Sequence, residues 1–280
     1  MRPATGPAFP SPRAEMAAEH PSAFGPGIRE VLGEDELVEI GDDDGVTLLR
    51  PTMAGRALLV LHQTGPQTTP VLDEADRVGW LAGRTPGPAL VATGRADGGA
   101  ETLVIHLDRD ATPAMLGHPM GAEALVEALA GALRALHSME VDVCPFVADE
   151  EQLRKRVADR LAHGELVPAA DGPYEGRTPT DLITIFDELI AELGPTDDPV
   201  FIHGGLRAER VWFEPSGSVI FTGWRHGGVG DRHLDLAAAA ALVTDVHGPA
   251  LVAPLIDSYG FDDVDLRRLD AHQLLAHLLR

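Results

Sequence analysis

The sequence contains few of the residues on which several kinds of site depend. Its 280 residues include one cysteine, Cys144, so an internal disulfide and a cysteine-based zinc site are both excluded. No apolar run approaches the roughly 20 residues that cross a bilayer. Residues 1–27 lack the basic-then-apolar pattern of a secretory signal and are rich in proline, alanine and glycine. We therefore predict a disordered tail over 1–27 and a cytoplasmic location.

Basic residues are also scarce. There are 22 Lys and Arg against 44 Asp and Glu, for a formal net charge of −22, and Lys155 is the only lysine. An acidic surface repels nucleic acid and anionic membranes, so we expect neither as a partner. The same charge would attract a cationic ligand, but it also serves solubility alone. Asparagine is absent from the sequence altogether.

The most informative stretch is residues 200–236. An apolar run, a His-Gly-Gly turn and two β-rich runs separated by Glu-Pro-Ser-Gly follow one another, and strand–turn–strand indicates a hairpin. A glycine-rich loop then leads through Gly-Asp-Arg-x-x-Asp-Leu into an alanine-rich helix. In chain order the parts are Val200–Ile202, His203–Gly205, Val211–Phe213, Ser218–Phe221, Gly223–Gly230, Gly230–Leu236 and Ala237–Val243.

This order of motifs resembles the catalytic segment of the aminoglycoside phosphotransferases, relatives of the protein kinases. The resemblance implies an α+β, bilobal protein-kinase-like fold. The N-lobe, expected over 28–107, would be a five-stranded antiparallel sheet with a helix. The C-lobe, expected over 108–280, would be mainly helical and carry the hairpin of the catalytic loop.

The chemical residues of that family are replaced here. In the family, an Asp orients the attacking hydroxyl, and the resemblance aligns that Asp with Gly205 of this chain. The two magnesium ligands of the family, an Asn and an Asp, align with Arg210 and Gly223. The phosphate-binding Lys corresponds to His62. The helix Leu72–Leu81 matches the family helix whose Glu pairs with that Lys. Glu74 is the matching residue, so a His62–Glu74 pair is possible.

The residues that shape the loop are kept. The resemblance implies that His203 packs in the core, that Asp235 accepts backbone N–H groups of the loop, and that Asp231 ties the loop down. Glu74 belongs with this scaffold. We predict no metal site, although a rescue of metal binding by the carboxylate of Glu209 stays open.

Charged residues near the lost positions suggest two further ligand classes. Arg207, Arg210 and Arg225 concentrate positive charge and could bind an anion without metal. In the family, acidic residues of one loop bind the ammonium groups of the aminoglycoside. The matching loop here is 164–178, and its residues Asp171 and Glu175 are candidates for that role by position. By contrast, the turn Gly41–Gly45 contains three consecutive Asp residues that would repel a triphosphate, and we expect a solvated turn there.

Two helix starts are also predicted. Thr180 is the expected cap of a helix over Asp181–Leu193, and a later helix is expected to begin at Ala237. The functional prediction is a non-catalytic, pseudokinase-type member of the family that binds a small molecule or a protein. No cofactor is expected. The alternative is an active phosphotransferase with rearranged catalytic residues, which would use ATP and magnesium.

Overall fold

The computed structural model describes residues 24–53, 55–65, 70–84, 87–113, 118–166 and 174–279. They form two compact units. The N-terminal unit comprises the described residues up to His118 together with Glu209–Arg225, and the C-terminal unit comprises those of Pro119–Ala208 and His226–Arg280. This division differs from the predicted boundary at 107/108. The N-terminal unit includes 209–225 because Trp212 and Ile220 pack against the apolar core of its sheet.

The N-terminal unit contains the predicted five-stranded antiparallel sheet, with the strand order β1-β2-β3-β5-β4. Side chains on the central strand alternate between two apolar clusters, as the pleat of a strand requires. Leu59 and Leu61 pack in one cluster and Val60 in the other. The strands are β1 (Leu37–Asp42), β2 (Thr47–Pro51), β3 (Leu58–Gln63), β4 (Leu90–Arg95) and β5 (Glu101–His106).

Two helices accompany the sheet. The helix α2 (Leu72–Leu81) has the predicted bounds. The helix α1 begins at Pro26 and ends at Leu32, so it includes the last two residues of the predicted tail. It starts there because Ile28 is fully buried against the sheet, where Gly94 leaves room for it: a Cβ on Gly94 would lie 2.8 Å from Ile28 Cγ1.

The predicted hairpin lies in the N-terminal unit. It consists of β8 (Val211–Phe213) and β9 (Val219–Phe221), and the short strand β6 (Thr112–Pro113) pairs with β8. The turn closes through a hydrogen bond from the Glu214 N–H to the Ser218 carbonyl at 2.9 Å. Two 3-10 turns, Ala208–Arg210 and Trp224–His226, flank the hairpin.

The C-terminal unit is mainly helical, as predicted. The helices are α3 (Ala122–His137), α4 (Glu150–Ala162), α5 (Pro179–Leu193), α6 (Arg232–His247), α7 (Val252–Tyr259) and α8 (Leu266–Leu278). The core of the unit includes the leucine face of α3, and α6 packs against α8, α3 against α7 and α5 against α8. Two short strands, β7 (Val200–Ile202) and β10 (Gly228–Gly230), pair antiparallel.

Two predicted helix starts are wrong. Thr178, not Thr180, caps α5: its hydroxyl accepts from the Asp181 N–H, and Asp181 accepts from the Thr178 N–H in a capping box. Pro179 occupies the first helical position, which suits its fixed φ. The helix α6 begins at Arg232 rather than Ala237, because the Asp231 side chain caps it by accepting from the His233 N–H. Within the described residues, no helix is long and apolar enough to cross a membrane.

Candidate functional site

The His-Gly-Gly turn follows β7 in the C-terminal unit and is held by one carboxylate. Asp235, in the first turn of α6, is fully buried. Its Oδ2 accepts from the His203 N–H at 2.6 Å and its Oδ1 from the Gly204 N–H at 3.0 Å, while His137 Nε2 lies 3.2 Å from Oδ2. Burial opposes ionisation, but the contacts with His137 and His203 lower the pKa of Asp235. Asp235 thus fixes the turn as an ionised acceptor.

Glycine is required at the centre of this turn. Gly204 has φ +70°, and a Cβ there would lie 2.4 Å from the His226 carbonyl oxygen. The Arg156 guanidinium donates to the Gly204 carbonyl at 2.6 Å. The turn therefore keeps a defined backbone. However, the next residue, Gly205, has no carboxylate to present to an attacking hydroxyl.

Asp231 serves a second buried network, which joins α6 to α8. Its Oδ1 contacts His233 Nδ1 at 2.5 Å, and its Oδ2 accepts from Arg268 at 3.1 Å. His233 Nε2 accepts in turn from the Asp265 N–H, and His272 Nε2 lies 3.9 Å from Asp231 Oδ2. Burial disfavours the Asp231 anion, but the hydrogen bond from His233 and the nearby imidazoles lower its pKa. The geometry gives Asp231 a structural task.

In the N-terminal unit, Arg210 forms a buried ion pair with Asp43. Arg210 Nε donates to the two Asp43 oxygens at 3.0 and 2.8 Å, and its Nη2 donates to Asp43 Oδ1 at 2.7 Å. Arg225 Nη2 also contacts Asp43, at 3.2 Å from Oδ2 and 3.1 Å from the carbonyl oxygen. Arg210 is 2% exposed and Asp43 is 4% exposed. A bidentate guanidinium–carboxylate pair is among the stronger hydrogen-bonded arrangements in proteins.

The prediction of a fully solvated Asp turn is therefore wrong at its central residue. Asp42 and Asp44 are exposed, but Asp43 between them points inward. Burial raises the pKa of a carboxyl, yet the Arg210 and Arg225 guanidinium groups outweigh that effect and lower the pKa of Asp43. Because the chain places arginine at position 210, an inward carboxylate is stabilised in a turn that sequence rules assign to solvent.

Gly223 and Arg210 fit each other sterically. A Cβ on Gly223 would lie 2.4 Å from Arg210 Cδ and 2.6 Å from its Nε. Gly223 also has φ +78°, in the left-handed region that favours glycine. The space of a side chain at 223 is thus taken by the arginine stem. The two replacements at the positions that the resemblance assigns to the metal ligands are coupled.

Glu74 and His62 have separate hydrogen-bond partners. Glu74, on α2, is fully buried, and its Oε1 accepts from the Gly223 N–H at 2.8 Å. His62 Nδ1, on β3, lies 2.9 Å from Thr102 Oγ1. The Glu74 Oε2 atom has no hydrogen-bond partner among the described residues. Burial raises the pKa of Glu74 more than Arg225 and the Gly223 hydrogen bond lower it.

These residues do not fit a magnesium ion at the two family positions. Magnesium takes near-octahedral oxygen ligands at roughly 2.0–2.1 Å. Position 210 presents a cationic guanidinium held by Asp43, and position 223 presents no side chain. In the described part of the chain, no group of three or more His, Cys, Asp or Glu is placed to hold a metal ion.

The remaining candidate residues do not all belong to one unit. Arg207 belongs to the C-terminal unit, whereas Arg210 and Arg225 belong to the N-terminal unit, where both contact Asp43. Glu175 is exposed beside the start of α5. Asp171 lies outside the described residues. Asp43 was not singled out from the sequence. The available signal was an arginine at a metal-ligand position of the family in a chain that also has an Asp-rich turn.

Comparison with known proteins fixes the family. A model of the phosphotransferase enzyme family matches residues 40–272. The chain belongs to this family. It is 28% identical over 219 residues to an aminoglycoside 3'-phosphotransferase of Escherichia coli, covering 78% of this chain and 80% of that protein. It is 33% identical over 222 residues to an aminoglycoside 3'-phosphotransferase of Streptomyces fradiae, covering 72% and 77%.

A solved structure confirms the fold class. The aminoglycoside phosphotransferase from Streptomyces rimosus superposes with a TM-score of 0.74 at 21% identity, covering 90% of this chain and 96% of that one. The predicted resemblance and the α+β kinase-like fold, with its five-stranded sheet and helical C-terminal region, are therefore confirmed.

Proposed function

We propose that this member of the phosphotransferase family is a binding module without magnesium-dependent phosphoryl transfer. The observation that carries the proposal is the Arg210 side chain, which occupies the space of a side chain at 223 and pairs with Asp43. The ligand is a small molecule or a partner protein. In this proposal the scaffold around Asp235 and Asp231 stabilises the fold of the loop and has no part in a reaction.

Electrostatics supports this proposal. Phosphoryl transfer depends mainly on positioning and on neutralising phosphate charge with metal ions. A guanidinium beside a divalent cation repels it. At 4 Å and an effective dielectric constant of 20, two like unit charges repel by about 4 kcal/mol, so a single and a double charge repel by about 8 kcal/mol. An Asp at 223 could restore a ligand only after Arg210 moved out of its ion pair.

A second candidate function is transfer of the γ-phosphoryl group of ATP to a hydroxyl of an aminoglycoside-type acceptor. The favouring observation is the coverage of the relatives, since two proteins named aminoglycoside 3'-phosphotransferase align over 80% and 77% of their own lengths. In that case a carboxylate elsewhere in the chain would orient the acceptor, because the family position for that role is Gly205.

A transfer assay separates the two functions. Purified protein is incubated with γ-labelled ATP, magnesium and a panel of aminoglycosides, beside an active relative as the positive control. We expect label in the acceptors only with the relative. Metal-dependent labelling by this protein that disappears in an Asp235→Asn variant would refute the proposal, because a contaminating kinase would not respond to that substitution.

A further inference from the structure

The two buried arginines of the N-terminal unit surround a single buried carboxylate. Arg210 and Arg225 both donate to Asp43, and their side chains are 2% and 5% exposed. The Nε of Arg225 is buried and has no hydrogen-bond partner among the described residues. One N–H donor of this cluster is therefore unsatisfied while Asp43 occupies it, and a buried unsatisfied donor costs free energy.

Two carboxylates contact these arginines, and they differ in burial. Asp43 supplies one buried negative charge, whereas the Asp44 side chain, which contacts Arg210 Nη2 at 3.0 Å, is 50% exposed. Glu74 is a further buried acid whose charge acts on both arginines, and burial raises its pKa, which favours the neutral form. A dianionic phosphate group would neutralise both guanidinium groups and present more oxygens to their N–H donors than one carboxylate does.

The carboxylate belongs to a turn whose other parts face solvent. Asp42, Asp44 and Gly45 are exposed, and the turn is closed locally by Gly45 N–H donating to Asp42 Oδ1 at 3.0 Å. Asp44 has φ +53°, the one positive φ at a non-glycine residue in the described ranges. Such a backbone is uncommon for a residue with a side chain. Asp43 is thus held inward between two exposed residues.

We propose that Arg210 and Arg225 form a metal-independent binding site for a phosphate group, and that Asp43 is the internal anion that occupies it until a ligand displaces it. This inference rests on the proposed function, since it assigns a ligand class to the same site. The inference predicts that magnesium weakens the binding of a polyphosphate to this site instead of strengthening it. The reason is that bound magnesium reduces the negative charge that the guanidinium groups attract.

Calorimetry with pyrophosphate on the full chain tests the site. Titrations are run with EDTA and with excess magnesium, on the wild type and on Asp43→Asn. We expect weak binding by the wild type in EDTA, at least about tenfold tighter binding by Asp43→Asn, and weaker binding with magnesium in both. Asp42→Asn makes the same charge change at an exposed position of the same turn and should leave the affinity unchanged. Arg225→Gln should abolish binding.

A second measurement does not depend on a folded Asp43 variant. Hydrogen–deuterium exchange of wild-type peptides over 41–47 should rise with pyrophosphate, because a displaced turn loses the hydrogen bond from the Asp43 N–H to the Val46 carbonyl at 2.9 Å. Unchanged exchange in this segment at saturating pyrophosphate would overturn the displacement.

The outcomes distinguish the two proposals. Absence of pyrophosphate binding by a folded Asp43→Asn variant, together with no phosphoryl transfer, overturns this inference and leaves the proposed function intact. Binding that requires magnesium, accompanied by transfer, overturns both. Binding in EDTA that magnesium weakens, without transfer, supports both.

Discussion

The Asp43 ion pair gives a sharp prediction about stability. Asp43→Asn keeps the shape of the side chain but removes the negative charge shared by two buried guanidinium groups. Removing one partner of a buried pair leaves an uncompensated charge, and this costs about 3–5 kcal/mol. We therefore expect the free energy of unfolding to fall by about that amount, which is a large part of the roughly 5–15 kcal/mol of a typical domain.

The neighbouring residue supplies the matched control. Asp44 contacts the same guanidinium at 3.0 Å, but its side chain is 50% exposed. An exposed pair contributes about 0–1 kcal/mol because water and salt screen it. Asp44→Asn should therefore change the free energy of unfolding by less than about 1 kcal/mol, although it makes the same charge change one residue away.

Urea unfolding followed by circular dichroism measures both variants against the wild type. The midpoint of Asp43→Asn should fall with an unchanged dependence on denaturant, since the surface exposed on unfolding is the same. Equal, small losses for the two variants would refute the reasoning, because they would mean that Asp43 is as solvated as its neighbour. A pronounced loss that disappears at high salt would refute it as well.

Three further predictions concern the scaffold. Gly223→Ala should cost about 2–4 kcal/mol by urea unfolding, since its Cβ would overlap the Arg210 stem and its φ is +78°; a loss below about 0.5 kcal/mol would contradict the packing. Thr178→Ala should lower the free energy of unfolding by about 1 kcal/mol through the lost capping box, whereas Thr180→Ala should change it little. Burial lowers the pKa of His272, so the folded state binds fewer protons than the unfolded state, and stability should fall as the pH drops below about 6.5. The lowered pKa of Asp231 adds a further loss below about pH 4. A His272→Gln variant should flatten the first of these two falls in the urea midpoint and reduce the second, because the His272 imidazole helps to lower the pKa of Asp231.

Local patterns were sufficient for most of the elements. The helix over Leu72–Leu81 and the strands of the sheet follow from apolar periodicity, and this signal is carried by neighbouring residues. Helix starts were harder to predict. The cap at Thr178 lay just before a Pro that fixes the first helical position, and the start of α6 was set by the side chain of Asp231.

The sequence by itself determined the family frame and the loss of its chemical side chains, because both are read from residue identity along a motif. Only the tertiary structure decided what replaced them. Asp43 and Arg210 are 167 positions apart, and no local rule connects an acidic turn with an arginine in another segment. Their pairing depends on burial, which turns a charge that would be solvated in isolation into the centre of a compensated cluster.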